Sequence, residues 1–442
     1  MILTLLKRAL FAVKKSKSWQ VNALAAFCAL LIVTGIFFYV KSPNASTEKK
    51  SPHIRWSMEV FDKIKSSYWR TVTDADLGNL FELAAEKVSG KPAEPAPKTR
   101  AEVEAMIEKK LAGQTVADQK KFITTLAAVV LYNLPPAGRN ALYTSRDETA
   151  LRNEVKNVDT GKDLYATVGL TKGASTAEVE KSYTEQAIAL KKENAPNVKQ
   201  KLDELSYAKK VLTTPDTKAN YDSAKIEPTV FAKTMSPEVY YIYIDKFSPT
   251  TFDEFVRTAN ASDGHGKLKA LILDIRGNIG GAVDILPYFL GLFIGQNEYA
   301  YDFFHQDNYE PNKTKTPKLP SLAKFKHMAV LTDGLTQSSA EVMTTTFKRY
   351  NKAVVVGKTT RGWGTIENTF PIETVIDSSE KYSLFMVHRL TVRDDGEPVE
   401  GHGVEPNVDI TKSDWRTSIT DYIGYQPLLG AVKAAISTEP SR

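Results

Sequence analysis

The sequence predicts a wound α/β core in its C-terminal half, preceded by helical regions and an apolar N-terminal span. Three observations carry this. Past Ile226, strand-like and helix-like segments alternate, and alternation of this kind winds helices around a sheet. Ala270 to Ile275 (ALILDI) is almost wholly apolar, as a strand covered on both faces must be. Arg276 to Gly281 (RGNIGG) is a tight glycine turn leading into a helical pattern.

From the N-terminus, Val21 to Val40 (VNALAAFCALLIVTGIFFYV) is uncharged over twenty residues, long enough to cross a bilayer. Lys7, Arg8, Lys14, Lys15 and Lys17 precede it. The expected reading is an uncleaved anchor with residues 1–20 cytoplasmic and the bulk of the chain beyond the membrane. A cleaved signal peptide or a buried helix are the alternatives. Residues 41–54 read as a linker. Residues 55–160 are helical in pattern. Met58 to Trp69 puts Val60, Phe61, Ile64 and Tyr68 on one face. Asp76 to Lys87, Glu102 to Ala112 and Asp118 to Leu134 follow, the last ended by Pro135-Pro136. Residues 161–225 form a separate helical unit.

In the core, residues 226–442, the expected strands are Val239 to Ile244, Ala270 to Ile275, Met328 to Thr332, Ala353 to Val356 and Tyr382 to His388. The expected helices are Thr251 to Asn260, Val283 to Phe293 and Ser339 to Tyr350, with residues 305–323 as loop.

Composition excludes several functions. A net charge of +6, with lysines scattered among glutamates, leaves no nucleic-acid footprint. Cys28 is the only cysteine, so neither an internal disulfide nor a cysteine metal site can form. The six histidines are dispersed without ligand spacing. Gly357-Lys358-Thr359 mimics the tail of a phosphate loop, but the first glycine would fall on Lys352. Gly280-Gly281 lacks the dinucleotide fingerprint. No metal or cofactor is called for.

The chemistry concentrates between Met328 and Glu367: strand, Ser-rich turn, helix, strand, glycine loop. A hydroxyl at a helix start after a buried strand is where acyl-transfer enzymes hold a nucleophile, because free N–H groups and the helix dipole favour an oxyanion there. With "LKALILDIRGNIGG", "YYIYIDKFSPTTFDEF", "LPPAGRNALYTSRDE" and "GEPVEGHGVEPNVDI", this stretch resembles the C-terminal processing, or tail-specific, serine peptidases. The resemblance implies a crotonase/Clp-protease-like ββα core and a polypeptide substrate. It makes Ser338 the nucleophile, with oxyanion N–H groups from Gly280 or Gly281 and from Ser339. Asp274 and Arg276 would brace the glycine turn. The family's general-base lysine falls on Trp363, and its supporting glutamine on Glu367. An indole N–H only donates, so it cannot take the serine proton. Lys358, five residues early, is one stand-in base; His388 and His402 are others.

Residues 161–222 resemble a J-domain, in the place where the family usually carries a PDZ domain. Asp163-Leu164-Tyr165, Val168-Gly169-Leu170, Ala208, Val211-Leu212, Pro215 and Tyr221-Asp222 match its packing positions. Its His-Pro-Asp signature is absent: 190–197 reads LKKENAPN. The unit is expected to be a scaffold, or a docking surface for a protein partner. Three functions stay open: a membrane-anchored peptidase of weak or absent activity, a non-catalytic peptide binder, and a tethered co-chaperone.

Overall fold

The computed structural model describes residues 50–91, 95–193, 195–393 and 395–440. The predicted membrane span at 21–40 lies outside the described residues; among those described, no helix is long and apolar enough to cross a bilayer. The chain divides into two units, Met1–Arg55 and Trp56–Arg442.

The helical region holds α1 (Pro52–Ser67), α2 (Asp74–Ser89), α3 (Arg100–Leu111) and α4 (Val116–Asn133). Thr73, Thr99 and Thr115 each accept a backbone N–H at the starts of α2, α3 and α4. These caps start each helix two residues before the predicted boundary, because capping rather than apolar periodicity sets the first turn. β1 (Ala141–Thr144) and α5 (Ser145–Val155) come next.

The helical insert consists of α6 (Leu164–Thr167), α7 (Thr176–Lys192), α8 (Val198–Thr213) and α9 (Pro215–Ala224). Leu164, Tyr165, Val179, Leu205, Val211 and Leu212 are among the residues of its own small core. Side chains also fasten the insert to the α/β core. The Tyr207 hydroxyl donates to Glu227 at 2.5 Å, the Tyr207 ring lies 6.0 Å from that of Phe231, and Arg257 pairs with Asp216 at 3.1 Å.

The core contains β2 (Val230–Ser236), β3 (Val239–Ile244), α10 (Thr251–Ala261), β4 (Ala270–Asp274), α11 (Leu286–Ile294), β5 (Tyr299–His305), β6 (Asn308–Lys313) and β7 (His327–Thr332). It continues through α12 (Ser339–Arg349), β8 (Val354–Gly357), β9 (Thr365–Pro371), β10 (Tyr382–Val392), β11 (Val408–Asp409), α13 (Trp415–Tyr422) and α14 (Gln426–Ile436). The main sheet runs β11-β8-β7-β4-β3-β2. It is parallel except for the β2–β3 hairpin.

Every residue of β3 and β4 is buried, and alternate side chains serve opposite cores. Ile242, Ile244, Leu271 and Leu273 pack with Phe255, Phe289 and Phe347 of α10, α11 and α12. Tyr241, Tyr243, Ala270 and Ile272 pack with Trp415, Ile419 and Val432 of α13 and α14. Helices on both faces explain why these strands read as continuous apolar runs.

A second sheet runs β1-β10-β5-β6, with β9 also on β10. Here the expected loop at 305–323 is corrected: β6 lies inside it. Gln306 and Asp307 both take positive φ, 46° and 67°, and join His305 to Asn308 in a two-residue hairpin turn. β6 (NYEPNK) is mostly exposed. An edge strand that is polar and tolerates Pro311 shows no apolar alternation. The helix expected from Val283 instead starts at Leu286, after a 3₁₀ turn over Val283–Ile285, with Pro287 in its first turn.

Candidate active site

The glycine turn follows β4 and the serine turn follows β7. These are neighbouring parallel strands, so both turns emerge at one carboxyl edge, where open α/β sheets bind ligands. Hydrogen bonds join the two turns. Gly277 N–H donates to Asp333 at 3.0 Å, the Thr336 hydroxyl to Ile275 O at 2.9 Å, and Gln337 N–H to Asn278 O at 2.9 Å. Beneath them, Arg276 grips the fully buried Asp274 at 2.6 Å, and Tyr241 donates to the same carboxylate at 2.7 Å.

Ser338 sits at the N-terminus of α12 with φ 56° and ψ −123°. A side chain in this region costs roughly 1–3 kcal/mol, and such strain collects at functional sites. Gly280 (φ 84°) lies directly against it: a β-carbon there would stand 2.6 Å from Ser338 Cβ and 3.0 Å from Ser339 N. One on Gly281 would stand 2.1 Å from Phe247 O. No side chain fits either position. Of the two glycines named for the oxyanion site, Gly280 has its N–H committed to Asn278 Oδ1 at 2.8 Å. Among the described residues, Gly281 N–H and Ser339 N–H have no protein acceptor. Of the three N–H groups named from the sequence, these two are uncommitted. The Ser339 hydroxyl donates to Gly281 O at 3.2 Å, holding the two residues together.

The loop at 360–364 is held by the carboxylate of Glu341, which is fully buried. One oxygen accepts from Ser338 N–H at 2.8 Å and Trp363 N–H at 2.9 Å. The other accepts from Gly362 N–H at 2.7 Å and from the Thr360 hydroxyl. Burial pushes this carboxyl up, while the four donors pull it back. A single oxygen therefore joins the backbone of the serine to that of the tryptophan.

The Trp363 indole lies under the Arg139 guanidinium, 3.3 Å from the ring centre, and donates to Glu367 at 3.1 Å. Arg139 pairs with Glu400 at 2.9 Å, and Glu400 accepts Gly364 N–H at 2.9 Å. Arginine, indole and two carboxylates thus form one packed group. None of the stand-in bases bonds the Ser338 hydroxyl among the described residues. Lys358 is exposed, its N–H and C=O bonded to Thr332. His388 is turned to Ser67 O at 2.7 Å. His402 is turned to Pro398 O and Glu400 O.

Glu367 is strongly displaced in acidity. Burial raises it from 4.5 to about 7, against the pull of Thr365, Trp363 and Arg139. Its protonated form is the one the fold prefers, so its contribution to stability is lost as pH rises from 4.5 towards 7. Deprotonation also changes the acceptor of the indole N–H. Trp363 fluorescence is expected to titrate with a midpoint near 7, and Glu367→Gln is expected to remove that titration. A flat Trp363 signal from pH 5 to 9, isolated against Trp363→Phe, would contradict the assignment.

A strained serine at a helix start, uncommitted amides beside it and a parallel sheet behind them thus meet at one carboxyl edge. Residues 238–410 match the model of peptidase family S41, and residues 163–222 match that of the DnaJ domain. The probable CtpA-like serine protease of Staphylococcus aureus (strain N315) is 29% identical over 173 residues, 39% of this chain and 33% of that protein. The Staphylococcus epidermidis protein of the same description is 26% identical over 196 residues, 44% and 38% of the two chains. The chain thus spans about a third of the length of the curated relatives it matches. The photosystem II D1 C-terminal processing protease is similar in fold, with a TM-score of 0.50 and 13% identity, covering 81% of this chain and 93% of that one.

Sequence reading missed Arg139, Glu400 and the clamp made by Glu341. Arg139 had a signal: it lies in the LPPAGRNALY segment, which matches a family motif. Glu341 had one as well, because serine followed three residues later by glutamate is a capping pattern.

Proposed function

We propose that this protein is a membrane-anchored relative of the tail-specific peptidases that takes extended or unfolded polypeptide beside Ser338 and hydrolyses it weakly or not at all. One observation supports the reading: Trp363, the position where the resemblance puts the general-base lysine, carries an indole stacked under Arg139 at 3.3 Å and bonded to Glu367 at 3.1 Å. An alcohol without a proton acceptor is a poor nucleophile near neutral pH. Peptide capture does not need one, since main-chain hydrogen bonds suffice to hold an extended segment. At the limit of zero turnover the protein is a binding scaffold. The anchor would be the 21–40 run.

In this reading the amides of Gly281 and Ser339 orient a substrate carbonyl through two hydrogen bonds. The Ser338 hydroxyl lies beside that carbonyl, and its proton has nowhere to go. The test is a fluorescently labelled unfolded polypeptide incubated with the purified protein. Binding, read as a rise in anisotropy, is expected in wild type and Ser338→Ala alike, with little or no cleavage. Ser338-dependent turnover at about 1 s⁻¹ or faster, the ordinary range for enzymes, would sink the proposal.

A further inference from the structure

Two guanidinium groups lie against the Trp363 indole. Arg139 is the nearer, 3.3 Å from the ring centre, and Glu400 neutralises it at 2.9 Å. Arg361 is the other, 5.3 Å from the same centre. Among the described residues, its side chain pairs with no carboxylate and donates no hydrogen bond. The backbone fixes where it stands. Arg361 N–H donates to Thr336 O at 2.9 Å, in the serine turn. The next N–H, of Gly362, donates to Glu341 at 2.7 Å, and the other oxygen of that carboxylate holds Ser338 N–H. An exposed guanidinium is thus rooted beside the candidate nucleophile.

The carboxylates of the site are already committed. Asp333 Oδ1 accepts the N–H groups of Gly277, Leu335 and Thr336. Glu341 has its four donors, and Glu400 holds Arg139 and Gly364 N–H. Glu367 accepts the indole N–H and the Thr365 hydroxyl, and burial favours its neutral form below about 7. Two cations therefore share one ring, with a partner for only one of them. A cation over a ring is common in itself, and Arg416 over Trp415 at 4.7 Å is such a case on α13. Arg361 differs in its place: its loop is bonded to the serine turn, which leads to the uncommitted amide of Ser339.

We infer that Arg361 receives a carboxylate of the polypeptide held beside Ser338, through the paired N–H groups at the edge of its guanidinium. The inference rests on the peptide-binding reading of this site. A carboxylate and a guanidinium match in plane and spacing, so two parallel hydrogen bonds form at once. Contact with the indole restrains the arginine before the ligand arrives, which lowers the entropy lost on pairing. A chain terminus and an acidic side chain both carry this chemistry. Either gives the site a preference for anionic segments over neutral ones.

The test is fluorescence anisotropy with the full chain in a non-ionic detergent and three unstructured peptides of one parent sequence, each labelled at a blocked N-terminus. The first ends in a free carboxylate and has no internal acid. The second is C-terminally amidated and carries a single glutamate, placed at successive positions. The third is amidated and has no acid. At least one of the first two is expected to bind about fivefold tighter than the third, the upper yield of an exposed ion pair. Arg361→Gln is expected to remove that preference and to leave the affinity for the neutral peptide unchanged. Arg416→Gln, which removes the same charge elsewhere, is expected to keep it. Preference for the free terminus assigns the contact to a chain end, and preference for the glutamate assigns it to a side chain. Equal binding of all three would overturn the inference and leave the peptide-binding reading standing. A preference that survives Arg361→Gln would overturn it too. Failure of every peptide to bind would overturn both.

Discussion

Replacing Glu341 with alanine is expected to lower folding stability by about 3 kcal/mol or more, because removing a buried acceptor leaves its donors unsatisfied. The donors are the N–H groups of Ser338, Gly362 and Trp363 and the Thr360 hydroxyl. Each of the two oxygens accepts from two of them, so glutamine is no rescue: its amide NH₂ would face two donors. The measurement is denaturant unfolding, read as a fall in midpoint at constant slope. An alanine variant within about 0.5 kcal/mol of wild type, the range of ordinary surface changes, would mean that something else holds the loop at 360–364.

The double variant Trp363→Lys with Glu367→Gln is expected to cleave unfolded polypeptide on the order of a hundredfold faster than wild type, the lower end of what a general base contributes. The reasoning lies in the surroundings of the indole. Arg139, 3.3 Å from the ring centre, would disfavour a second cation and help to keep the new amine neutral. Glu367, 3.1 Å from the indole nitrogen, would do the opposite once ionised and hold an ammonium in place. Trp363→Lys alone is therefore expected to gain less than the pair, with the difference widening above pH 7. Adding Ser338→Ala should abolish the gain. If the double variant stays at the level of Ser338→Ala, an amine at residue 363 does not serve Ser338 as a base.

The parts legible in the sequence were those whose physics is local. β3 and β4 announce themselves because burial on both faces leaves no polar alternation to confuse the reading. The glycine turn and the helix start at Ser338 are short patterns with fixed backbone demands. β6 was hidden because a polar edge strand has the composition of a loop. The choice between Gly280 and Gly281 could not be read either. It depends on where Asn278 sends its side chain, and that carboxamide bonds both Gly280 N–H and Ile244 O. The contact of Arg139 with Trp363 was out of reach for a different reason, although its segment carried a signal: more than two hundred residues separate the two, and only the folded sheet brings the guanidinium onto the indole.

Glycine would adopt the torsion angles of Ser338 (φ 56°, ψ −123°) without steric conflict. Steric preference alone would therefore favour a second hydrogen at that α-carbon, and the chain instead keeps a hydroxymethyl group there at a cost in stability. Strain of this kind collects at surfaces that meet other molecules, and here it is borne by an alcohol.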